Sequence, residues 1–130
     1  MSEILKHRFY SILYDRDRNV LTLVWSDDTA NMQDADFNDA ALQFAKLAKA
    51  HSTPHLRIVI TEFKHQPSSE SMKWREINVL PLYDEAGVRK IAFEVGRGGE
   101  EFPDKVESGH ETRSFETSEE IYEWFSQTDD

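Results

Sequence analysis

Residues 78–95, NVLPLYDEAGVRKIAFEV, constrain this chain more than any other stretch, because a helix has to end and a strand has to begin inside them. Proline deep in a helix removes a hydrogen bond and clashes with the preceding turn, at a cost of about 3 kcal/mol. In a first turn it costs little, since those N–H groups have no helical partner. The spacing therefore predicts a break near Asn78 to Pro81, with Asn78 capping a fresh helical segment that runs through Ala86. Gly87 supplies the left-handed closing residue, and Val88 the apolar residue that commonly follows it. VRKIAFEV is then a strand entered by a short connection. A helix joined this tightly to a strand, with further strands upstream, is the pattern of an α/β domain.

The rest of the chain extends that pattern. HRFYSILYD and VLTLVW are rich in aromatic and β-branched residues and flank the polar RDRN, which predicts an antiparallel hairpin. SDDTAN is rich in capping residues. From about Met32, the positions Phe37, Ala40, Ala41, Phe44, Leu47 and Ala48 recur at helical steps, and the helix ends near His51, ahead of Pro54. HLRIVITEF reads as an interior strand, with Leu56, Ile58 and Ile60 on one face and Val59 and Phe63 on the other. QPSSESMKWREI opens a second helix on which Trp74 and Ile77 share a face. Downstream, EEFPDKVES is expected to form a short helix and TRSF a short edge strand. TSEEIYEWF is a last helix, with a Thr117/Glu120 capping box and a buried stripe of Ile121, Trp124 and Phe125. The expected fold is one α/β domain over residues 1–130. It has a mixed, mostly parallel sheet of about five strands with about four helices, an N-terminal antiparallel hairpin, and a disordered acidic tail at 127–130.

Composition narrows the function. At 130 residues the chain has the size of one domain. It contains no cysteine, so a disulfide framework, a thiolate nucleophile and a cysteine zinc site are all excluded. Charges interrupt the N-terminal segment before any signal-like apolar run, and no window approaches a spanning helix, so the expected location is the cytoplasm. The net charge of −10 is concentrated in residues 100–130, where eleven carboxylates face only Lys105 and Arg113. Such a chain repels phosphate backbones, which argues against nucleic acid as a partner.

Several of these features occur together in one known family. The hairpin opening, the tryptophan-bearing helix leading into INVLP, the EAGVRKIAFEV turn and the ending FETSEEIYEWF resemble the SpoIIAA-like branch of the STAS superfamily over nearly the whole chain. The resemblance implies a STAS-like fold, similar in architecture to lipid-binding CRAL-TRIO domains, and a relation to anti-sigma-factor antagonists. Classical members carry a phosphorylated serine in an Asp-Ser turn after the third strand. Here the matching stretch TEFKHQPSSESM has Ser68 and Ser69, without the Asp-Ser pair or the following glycine. A phosphate would be comfortable at that helix start, although serines there commonly serve as caps.

Candidate chemistry is sparse. His51 and His55 have the spacing of a helical metal pair, but Pro54 lies between them, so both read as loop histidines and no metal site follows. His65 follows Glu62 after a strand, which could orient an imidazole, yet no nucleophile accompanies them and no catalytic residue is named. GRGG at 96–99 could form an anion-binding nest with Arg97 in reach. Trp25 and Trp124 read as core residues. Trp74, beside Met72 and Ile77 on the kinked helix, is the one placed to open a pocket.

The expected function is a non-enzymatic module that binds a small apolar or amphipathic ligand, or rests on a membrane surface, through Phe63, Met72, Trp74, Ile77 and Arg97, with no cofactor. The alternative is a regulatory protein-interaction domain with a protein partner, phosphorylated at Ser68 or Ser69. Leu80, Leu82 and Tyr83 are available either for a homodimer interface or for intramolecular packing.

Overall fold

The computed structural model describes residues 1–107 and 109–127. One mixed sheet holds seven strands: β1 (Ser2–Lys6), β2 (Tyr10–Asp15), β3 (Val20–Trp25), β4 (His55–Val59), β5 (Lys90–Glu94), β6 (Lys105–Glu107) and β7 (His110–Phe115), in the order β1-β2-β3-β4-β5-β7-β6. The four central strands β3, β4, β5 and β7 run parallel. An antiparallel meander, β1-β2-β3, extends one side, and β6 pairs antiparallel with β7 on the other. Parallel and antiparallel pairings are thus equal in number, where a mostly parallel sheet was expected.

A 3-10 turn at Asp27–Asn31, capped by Ser26, leads from β3 towards helix α1 (Asp34–His51). Helices α2 (Ser69–Asn78) and α3 (Leu80–Ala86) connect β4 to β5, and α4 (Ser118–Phe125) closes the described chain. Leu21, Leu23, Leu56, Ile58 and Ile91 pack against Ala40, Phe44, Ala48, Leu80 and Tyr83 in the main core, so α1, α2 and α3 cover one face of the sheet. On the opposite face α4 packs Ile121, Trp124 and Phe125 on Val20 and Ala92. Its capping box forms as the sequence predicts, with the Thr117 hydroxyl accepting from the Glu120 N–H.

The punctuation of 78–95 falls where expected, with one change of role. The helix breaks at Val79, Pro81 sits in the first turn of α3, and Gly87 closes it at φ 80° while the Val88 N–H donates to the Tyr83 carbonyl. Asn78 is not the cap of the new segment. It ends α2, and its amide donates back to the Trp74 carbonyl at 2.9 Å. The joint residue is Val79, fully buried, whose carbonyl takes the N–H groups of Leu82 and Tyr83.

The other differences concern segments whose local pattern is weak. β1 was not expected: its Ser-Glu-Ile-Leu-Lys is almost wholly exposed, so the burial that produces alternation is missing. The first hairpin strand starts at Tyr10 rather than His7, because residues 7–9 form the turn from β1. EEFPDKVES forms no helix; Lys105–Glu107 is the edge strand β6. The TRSF segment belongs to β7, which lies inside the sheet between β5 and β6 instead of at its edge. Leu80 and Tyr83 are buried and Leu82 packs on the main core, so these side chains are engaged within the chain. Of the expected tail only Gln127 is described, and its carbonyl accepts from Lys90 Nζ at 3.0 Å; residues 128–130 lie outside the described residues.

Candidate functional site

The register across the parallel strands aligns Leu23, Ile58 and Phe93 in one row on the helix-covered face. Their side chains form part of the floor of a cavity of about 390 Å³ near the carboxyl ends of β3, β4 and β5. Open α/β sheets place ligands at that end, because the chain leaves each strand there and adjacent connections can part. Phe37, Ala41 and Phe44 of α1 form one wall, and Tyr83 of α3 closes the inner side. Ile60, Phe63 and Pro67 come from the connection after β4, and Met72 and Arg75 from α2. Phe102, Lys105 and Glu107 approach from the segment around β6, together with Thr112 of β7.

Aromatic packing shapes the apolar part. Trp25 stacks on Phe37 with ring centroids 5.8 Å apart and meets Phe63 at 4.9 Å. Phe102 packs edge-on against Phe93 at 5.3 Å. Hydrogen bonds between Ser114 Oγ and the Phe102 backbone hold that segment over the sheet. Phe44, Leu23 and Tyr83 are buried, whereas Met72 and Phe102 are 40 % and 37 % exposed, so the cavity deepens from a mouth at α2 and β6 towards the core.

Two polar fastenings position the wall that carries Phe63. The Thr29 hydroxyl accepts from the Lys64 N–H at 2.8 Å, tying the 3-10 turn to the loop after β4. Asp34, at the start of α1, pairs with His65 Nε2 at 2.9 Å and accepts from the Ser68 N–H at 3.3 Å. Hydrogen bonds from Ser68 and His65 hold the Asp34 carboxyl below its ordinary pKa. His65 is thus oriented by Asp34 and not by Glu62, contrary to the sequence reading.

The mouth is polar. Lys105 Nζ lies 2.7 Å from Glu107 Oε1. This contact with Lys105, helped by the charges of Arg75 and His110, lowers the Glu107 pKa. Burial raises the Tyr83 phenol, so it stays protonated, against a smaller opposing effect of Arg75. His110, 2 % exposed beside Tyr83, is pushed below its usual value by burial, and Asp84 and Glu107 only partly oppose this.

Of the residues expected from sequence, Phe63 and Met72 line this cavity. Phe63 packs with the Ile58 and Ile60 side of the sheet, not opposite it. Trp74 packs on the main core without lining the cavity, and Ile77 is 73 % exposed and so does not share its environment. Arg97 is exposed and outside the lining; in its loop the Gly98 N–H donates to Glu116 Oε2 at 2.8 Å, so the chain's own carboxylate occupies the expected anion nest. Ser68 caps α2 by accepting from the Ser71 N–H, and Ser68 and Ser69 are both exposed. His51 ends α1 and His55 begins β4, where their rings meet Tyr14 and Phe125. Among the described residues no group of three His, Asp or Glu side chains is arranged to hold a metal ion, and no helix is long and apolar enough to cross a membrane.

Arg75, Tyr83, Lys105 and Glu107 were missed. Arg75 follows Trp74 on a helix already singled out, so helical spacing from Met72 would have placed it on the Met72 side. Lys105 and Glu107 carried no such signal, since their segment was read as helix. The chain matches no protein-family model, no curated protein and no solved structure.

Proposed function

We propose that this chain is a non-enzymatic, STAS-like binding module for a small apolar or amphipathic ligand, held in the cavity between the sheet, α1 and α2. The observation that carries this reading is the aromatic-walled cavity of about 390 Å³. Its volume falls in the range of small-molecule sites, roughly 300–1,000 Å³, and it combines an apolar interior with few polar groups, as such sites do. Met72 and Ile77, exposed on α2, favour contact with a membrane surface when ligand enters or leaves.

Titration with a neutral apolar dye, N-phenylnaphthylamine, tests the reading. Saturable binding to one site is expected. Ala41→Leu, which adds carbon to the cavity wall, should weaken it about tenfold, or 1.4 kcal/mol. No saturable binding, or unchanged binding to a folded Ala41→Leu variant, would refute the placement. A second reading, a regulatory interaction domain, is favoured by the exposure of Ser68 and Ser69 at the start of α2. Intact mass of the protein from its native cells tests it: a phosphate increment supports it, and an unmodified chain speaks against it.

A further inference from the structure

The charges at the cavity are unequal. Arg75, Lys105 and Glu107 line it, giving one cation in excess in a chain of net charge −10. Lys105 and Glu107 engage each other at 2.7 Å. Arg75 is partly buried and makes no ion pair among the described residues. A guanidinium withdrawn from water loses hydration that only an acceptor can replace, and a carboxylate matches its planar fork with two parallel hydrogen bonds.

Tyr83 adds a second donor beside Arg75. A guanidinium has no acceptor, so towards the phenol oxygen it can only donate, which leaves the Tyr83 hydroxyl proton for a third group. Burial keeps that proton on the phenol, so Tyr83 brings no competing negative charge, and the same burial disfavours the cationic form of His110, which leaves Arg75 as the cation beside Tyr83. Phe37, Phe63 and Phe93 line the same cavity as these donors and give it an apolar wall.

We propose that the cavity binds an amphipathic monocarboxylate of the fatty-acid class, with its chain among the aromatic side chains and its carboxylate on Arg75 and Tyr83. This rests on the reading of the cavity as a ligand site and names the chemistry of its occupant. Neutral amphiphiles leave Arg75 without a charged partner, and cationic ones meet it with like charge.

Calorimetric titration of the full chain with dodecanoate, dodecanol and dodecyltrimethylammonium, each below its micellar concentration, tests the inference. Dodecanoate should bind at least about tenfold more tightly than dodecanol, and Arg75→Met should remove that advantage while leaving dodecanol unchanged, a difference of about 1.4 kcal/mol. If dodecanol matches dodecanoate, or Arg75→Met leaves dodecanoate binding intact, the carboxylate anchor is overturned and the cavity reading stands. Preference for the ammonium would overturn it in favour of Glu107. Failure of all three to bind removes the ligand-cavity reading as well. The unmodified protein gives an independent readout: the carboxyl carbon of labelled dodecanoate should titrate at lower pH when bound, and an unshifted or raised titration contradicts contact with Arg75.

Discussion

Replacing Gly87 by alanine should destabilise the protein by about 1 kcal/mol through backbone strain alone. Gly87 closes α3 at φ 80° and ψ 27°, and a Cβ built there meets nothing within 4 Å. Packing therefore contributes nothing to the cost. An L-residue in the left-handed region costs about 1–2 kcal/mol. Alanine also restricts the unfolded chain, which returns about 0.4–1 kcal/mol, so the net loss is about 1 kcal/mol. For a domain of this length that corresponds to a fall of about 3–5 °C in Tm. Gly96 provides the contrast: its φ is 84°, but its Cβ would lie 3.0 Å from Thr61 Cγ2. Alanine there combines the same strain with overpacking and should cost about 2 kcal/mol. Urea denaturation of the three proteins measures both values, with slopes unchanged if only stability moves. Gly87→Asn should lose less than Gly87→Ala, because asparagine tolerates the left-handed region. A Gly87→Ala protein as stable as the parent, or more so, would refute the reasoning.

Phe44→Ala should cost about 3–5 kcal/mol in urea denaturation, since Phe44 is fully buried and supports both the main core and the cavity wall. Thr117→Ala should remove the cap of α4 at about 1 kcal/mol while leaving dye binding unchanged, because α4 lies on the opposite face of the sheet. The pH dependence follows from His110, whose folded pKa is held below the ordinary 6.5 by burial among Tyr83, Asp84, Glu107 and Arg75. Its unfolded form binds the proton more readily, so its contribution is present above 6.5 and lost as the pH falls through the folded value. The urea midpoint should therefore fall between about pH 7.5 and 5.5, and His110→Gln should flatten that fall. Glu107, lowered by Lys105 from 4.5, acts the same way in a more acidic window and does not contribute there.

Features governed by near neighbours were legible in the sequence. Pro81 can sit only in a first turn, Gly87 only where a left-handed residue is needed, and Thr117 with Glu120 make a cap from contacts three residues apart. The β-branched and aromatic run of β3 likewise records burial on both faces of the sheet, and the helical spacing in α1 records burial on one face. Tertiary structure decided the rest. β1 and β6 take strand form from hydrogen bonds to β2 and β7 rather than from a buried pattern of their own. The cavity brings Phe37, Arg75, Phe93 and Lys105 together from four separate elements. Phe63 and Met72 were found because they border a helix start that local signals reveal. Arg75, Tyr83, Lys105 and Glu107 acquire their shared role only when the sheet order sets β7 and β6 beside β5 and α2 and α3 pack across the same face. Local propensity acts over a turn or two of chain, whereas a pocket is defined by distances through space.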